Sequence, residues 1–223
     1  MLAAVEPTGL LAGNLAGVAA LLFVLLPERH VHGHGERWTD YGLPWSGATA
    51  PETWRAWGRG LAFALAVGAV VFPALLAAIW AGARLRHHLP PALAGQLLPL
   101  PGAASPVFRL PPRLPLVVLV QLLVVALPEE LFYRGWMQTT WAATDPARGL
   151  RVLGARLGAG FVSTQALFAV GHLLVPQPWR LATFLPGLLF GWARERSGGL
   201  AAPVFLHALS NLFLAVLEAS LHG

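Results

Sequence analysis

Polar and apolar positions in this chain neither alternate nor form short amphipathic stretches; they separate into blocks. Residues 8–26, 61–81, 114–140, 160–175, 181–193 and 200–221 are almost continuously apolar, with polar or proline-rich connections between them. A run of about 20 apolar residues is what a helix needs to cross the hydrocarbon of a bilayer. Continuous rather than alternating runs fit a transmembrane β-barrel poorly. The pattern predicts an all-α, polytopic helical membrane protein with about six transmembrane helices and one membrane-embedded domain over residues 1–223. The fourth and fifth runs are short and are expected to tilt little or to be shielded by neighbours. Pro73 predicts a kink in the second run, and Pro186-Gly187 interrupts the fifth. Pro203 falls in the first turn of the last run, where proline is tolerated.

The connections carry their own signals. Residues 27–59 are polar and read as a loop with short surface turns. Within them His30, His32 and His34 alternate and would face one side of an extended segment. No carboxylate or cysteine ligand accompanies them at a metal-site spacing, so a solvated loop is preferred to a metal site. Trp38, Tyr41, Trp45, Trp54 and Trp57 read as anchors at the membrane surface. The stretch 90–112 is punctuated by prolines that no long helix survives, leaving room for a short interfacial piece around 92–98. Small residues beside Asn14 in the first run suit close helix packing. Glu6 stands where a signal peptide would carry basic residues, so this run is read as a retained span.

Composition agrees. The chain is 56% hydrophobic and 11% charged, against about 25% charged in soluble domains, and its mean hydropathy is +0.62. The net charge of +5 comes from fifteen basic residues, every one an arginine. They are scattered over the connections rather than gathered in a stripe, so no nucleic-acid partner is expected. With the N-terminus outside, nine arginines lie inside and five outside, the bias that orients membrane proteins. No cysteine is present, which excludes disulfides and thiolate catalysis. A lysine-free chain rich in Ala, Gly, Pro and Leu reads as bacterial, from the inner membrane.

Against that background, Pro128-Glu129-Glu130-Leu131-Phe132-Tyr133-Arg134 stands out. Two carboxylates and a guanidinium lie late in an apolar run, where each costs about 2.5–3.5 kcal/mol on insertion scales. Glu130 and Arg134 are i and i+4, so on a helix they are neighbours that neutralise one another. Glu129, about 100° round the helix, has no local counter-charge. A carboxylate so placed is suited to take a proton from water. His172, in the fourth run, is placed to bind water or share that proton. Phe168 lies one turn earlier and would wall a substrate pocket. His207 and Asn211 are again i and i+4, a pair of donors suited to a developing oxyanion. Taken singly, each group reads as helix-packing glue or a buried pair. Six polar groups on three apolar runs read as a site.

The ordered set Glu-Glu-x-x-x-Arg, Phe-x-x-x-His and His-x-x-x-Asn resembles the CAAX protease and bacteriocin-processing (CPBP, or Abi) family of intramembrane endopeptidases, related to the Ras-converting CAAX endopeptidases. The resemblance covers about 114–217 and includes the phrase 184–191 (FLPGLLFG); residues 1–110 carry no family motif, and 1–113 are read as N-terminal spans and a proline-rich loop. It implies that Glu129 activates water with His172 assisting, that His207 and Asn211 stabilise the oxyanion, and that Glu130 and Arg134 support the site. It implies no cofactor in a glutamate mechanism, the form preferred here. In the alternative metallo form, zinc would sit on Glu129, His172 and His207. The implied partners are the bilayer and a membrane-anchored protein or peptide trimmed near its C-terminus, as in the myxosortase-like branch. Prenylated protein ranks below. The competing readings are a non-catalytic immunity or adaptor protein and a small proton-coupled transporter. No inverted repeat supports the last.

Overall fold

The computed structural model describes residues 7–45, 50–85, 88, 90–91, 107–144, 149–174 and 177–222, with side chains in the first helix from Gly17 onward. The expected interfacial piece at 92–98, and the side chains of Glu6 and Asn14, lie outside the described residues.

Six helices account for nearly all of the described chain. They are α1 (Pro7–Gly33), α2 (Pro51–Leu85), α3 (Leu114–Thr144), α4 (Ala159–Gly171), α5 (Phe184–Ser197) and α6 (Ala201–His222). Short 3₁₀ turns follow α4 and precede α5. A small antiparallel hairpin of β1 (Leu150–Val152) and β2 (Ala155–Leu157) stands where the sequence suggested a plain loop. Its turn holds Leu153 and Gly154, both at positive φ.

The first two helices are longer than their apolar runs. α1 passes through Pro27 to Gly33, so His30, His32 and His34 lie on a helix end rather than an extended strand. There Glu28 and His32, one turn apart, pair at 3.0 Å. The polar continuation is itself compatible with helix, and one proline removes only one hydrogen bond. α2 begins at Pro51, a residue pre-set for the first turn, with Glu52 beside it on the favourable end of the helix dipole.

Among the described residues, α2, α3 and α6 are long and apolar enough to cross a membrane. α4 and α5, with 13 and 14 residues, are only about 20 Å long. Large apolar side chains face outward on these helices, including Leu65 and Val70 on α2, Leu123 and Val124 on α3, and Leu185 on α5. Polar side chains are buried instead: Glu130, Arg134, Gln138 and Gln165 are all 0% exposed. Apolar outside and polar inside is the arrangement lipid demands.

The core gathers Ala64, Tyr133, Phe168, Phe190, Ala193 and Leu206, taken from α2 through α6. α2 lies close against the start of α6: a Cβ on Gly60 would stand 2.4 Å from that of Ala201. Farther along, Phe72 stacks on Phe213 at 5.1 Å. Both contacts advance together, so α2 and α6 run parallel.

Candidate functional site

α3 is not a regular helix. Val120–Ala126 and Leu131–Met137 are wound as wider π turns on either side of Leu127–Glu130. Pro128 explains the first. It offers no N–H to the carbonyl four residues back, and its ring would press on that carbonyl. A wider turn relieves both problems, and such turns recur at functional sites.

Glu130 is sealed in the core. Its Oε1 accepts from Arg134 Nη1 at 3.0 Å and from His207 Nδ1 at 2.8 Å. Arg134 Nη2 donates to Gln165 Oε1 at 2.8 Å and to the Gly187 carbonyl at 3.2 Å. Its guanidinium lies 4.1 Å over the Phe168 ring. Gln165 Nε2 donates to Gln138 Oε1 at 3.1 Å, and Gln138 Nε2 donates to Glu195 Oε1 at 2.8 Å. A continuous chain of side-chain hydrogen bonds thus runs from His207 on α6 to Glu195 on α5.

Two glycines make room for it. A Cβ on Gly187 would lie 3.1 Å from Phe168, and one on Gly191 would lie 2.6 Å from Gln165 Nε2. They are one turn apart on α5, and their carbonyls accept from Arg134 and Gln138. Bare backbone on this face completes the coordination of the buried side chains, as buried charge requires.

Glu129 is placed differently. Its side chain is 20% exposed, against 0% for Glu130. Its Oε2 is buried, has no hydrogen-bond partner among the described residues, and lies 3.9 Å from His207 Nε2. That spacing is too long for a hydrogen bond. Because a carboxylate can only accept, the proton between His207 and Glu130 sits on Nδ1. Nε2 is therefore the atom His207 turns toward Glu129.

His172 follows the last residue of α4 and donates from Nδ1 to the Phe168 carbonyl at 2.8 Å, which leaves its Nε2 uncommitted. Its ring meets Phe168 edge-on at 4.6 Å. Phe168 also meets the His207 ring edge-on at 6.0 Å, so both histidines border the same phenyl ring. Phe168, expected to wall a substrate pocket, is 1% exposed. It is a floor beneath Arg134 rather than an open wall, because the guanidinium covers its face. Asn211 Nδ2 donates to Gln121 Oε1 at 2.9 Å. Glu129, His172 and His207 are not gathered at ligand spacing, nor are any other three His, Asp or Glu side chains among the described residues.

Residues 111–213 match the family described as type II CAAX prenyl endopeptidase, Rce1-like. Through that stretch the chain resembles the Rce1-like family. Neither a curated protein nor a solved structure matches it. The Rce1-like domain takes in α3, the hairpin, α4, α5 and the first half of α6, with every residue of the cluster just described. That family is one of CAAX-type proteases, and together with the apolar helices the match points to an integral membrane protein of that kind, with a membrane-anchored protein as the substrate the family implies.

Sequence reasoning missed Gln121, Gln138 and Gln165. Their signal was present but faint: Gln138 is one turn beyond Arg134, and Gln165 is seven residues before His172 on the same helical face.

Proposed function

We propose that the protein is an intramembrane endopeptidase that hydrolyses a peptide bond in the C-terminal tail of a membrane-anchored protein or peptide, by a glutamate mechanism. The observation that carries this reading is the contrast within one dipeptide. Glu130 is shut in the core at 0% exposure, with Oε1 held by both Arg134 and His207 and Oε2 enclosed beside it, while Glu129 is 20% exposed and turns an unpartnered Oε2 toward His207 Nε2. A water held about 2.8 Å from both atoms closes a triangle on that 3.9 Å base.

From there Glu129 takes the proton as the water oxygen bonds to the scissile carbonyl carbon, with His172 Nε2 helping to orient the water. The oxyanion that forms is met by an N–H of Asn211 and by His207 Nε2–H. His207 donates from Nε2 only as an imidazolium, since Nδ1–H is committed to Glu130. In that form two carboxylates, one guanidinium and one imidazolium balance in charge. Collapse of the intermediate breaks the C–N bond, and Glu129 returns its proton to the leaving amine.

Reconstitution with a membrane-anchored reporter tail tests the proposal. Cleavage is followed by mass, with bound zinc quantified and chelator added in parallel. The expected result is one internal cut that persists without stoichiometric metal and disappears in Glu129→Ala. Activity that tracks one bound zinc would recast Glu129, His172 and His207 as ligands. No cut in any tail would leave the non-catalytic reading.

A further inference from the structure

Asn211 does not stand free beside His207; its carboxamide is tied to Gln121 across the α3–α6 contact. Glu130 meets His207 in the same interface. The residue numbers rise along α3 as they fall along α6, so the two helices are antiparallel, and Gln121 sits on the Asn211 side of the glutamates. Gln121 and Glu129 are eight residues apart, which leaves about 80° between them on a regular helix. The π turns at Val120–Ala126 fit more residues into each turn. The angle therefore closes, and Gln121 comes round to the face that carries the glutamates. Beyond its removed carbonyl partner, Pro128 thus has a second consequence.

The chemistry of the amide gives this contact a use. The terminal torsion of asparagine is broad and nearly two-fold. An unrestrained Asn211 would present Oδ1 to the reacting carbonyl about as readily as N–H, and Oδ1 repels an oxyanion. Giving one Nδ2 proton to Gln121 Oε1, as observed, holds the amide in its plane and leaves the second Nδ2 proton for substrate. We propose that Gln121 is a positioning residue that orients Asn211 as an oxyanion donor; this rests on the endopeptidase reading above.

The competing role for Gln121 is adhesion between α3 and α6, and four variants of the full chain separate the two. In the reporter assay, Asn211→Ala should lower kcat about a hundredfold. Gln121→Leu should lower kcat about tenfold, with KM and melting temperature unchanged. The double variant should be no slower than Asn211→Ala alone, because the two residues act as one unit. Gln121→Glu keeps an acceptor oxygen at the same reach and should recover at least half of the wild-type kcat.

A Gln121→Leu enzyme at full rate overturns the proposal. So does a double variant whose losses multiply, or a loss that appears as melting temperature without kcat. Full activity in Asn211→Ala removes the role Gln121 would serve, while cleavage itself stays established. A second readout holds even for a chain that cuts no reporter. The sequence contains two asparagines, Asn14 and Asn211, so ¹⁵N-asparagine labelling gives two side-chain amide pairs, one lost in Asn211→Ala. That pair should move in Gln121→Leu and stay near its place in Gln121→Glu. A pair unmoved by Gln121→Leu denies the contact.

Discussion

Among the described residues, glutamate pairs with histidine both at the end of α1 and at the α3–α6 contact, at nearly the same distance and with opposite consequences. At the end of α1, Glu28 meets His32 at 3.0 Å, with side chains 43% and 71% exposed. At the α3–α6 contact, Glu130 meets His207 at 2.8 Å, with side chains 0% and 5% exposed. The first pair can exchange its partner for water at little cost. The second cannot, and Arg134, Gln165, Gln138 and two backbone carbonyls are arranged around it so that the buried charges keep partners. Burial, and not distance, decides which pair the fold depends on. In the proposed mechanism it also decides where chemistry is placed: Glu129 is 20% exposed beside His207 Nε2, whereas Glu130 is closed off at 0%.

The comparison breaks most readily at Arg134. Arg134→Ala leaves Glu130 and Gln165 facing an empty position and should cost about 3–5 kcal/mol, read as a large drop in melting temperature in detergent. An unchanged melting temperature would put the buried cluster on the same footing as the surface one.

Tyr41 sharpens it from the other side. Beside the same end of α1, where His30 faces Glu36 at 3.8 Å, Tyr41 is buried at 5% exposure with its hydroxyl donating to Glu36. Burial first, and then the hydrogen bond and charge of Glu36, push its hydroxyl up from 10.0 to about 12. An ionisation held off in the folded state stabilises the fold fully below the unfolded value, and that contribution is lost as pH rises through the folded one. Between pH 10 and 12 the wild type should therefore lose stability faster than Tyr41→Phe. Parallel pH curves would remove the effect.

The smallest change is predicted for Glu28→Gln. It breaks the 3.0 Å contact with His32, yet should shift stability by at most about 0.5 kcal/mol. A larger loss would mean that the exposed pair carries structural weight.

The membrane class and the charged members of the cluster were legible in the sequence, because continuous apolar runs and intramembrane charges have few other uses. The i, i+4 spacing of Glu130 and Arg134 was enough to pair them. What escaped were the uncharged partners. Gln121, Gln138 and Gln165 look like packing residues until it is known which helices are neighbours. The choice of neighbour is made by Gly60, Gly187 and Gly191, whose missing side chains show only when another helix lies against them. The π turns escaped as well, since Pro128 announces a disturbance in the helix but not its form. The ends of α1 and α2 were misjudged because an apolar run marks where lipid is met and not where a helix stops.

The most direct measurement sets Glu129→Gln beside Glu130→Gln in the same membrane, reading melting temperature and cleavage of the reporter tail for each. Glu129→Gln should melt as the wild type does and cleave nothing, while Glu130→Gln should melt well below it. A Glu129→Gln protein that still cleaves, or a Glu130→Gln protein as stable as the wild type, would contradict the division of the two glutamates into one that reacts and one that holds.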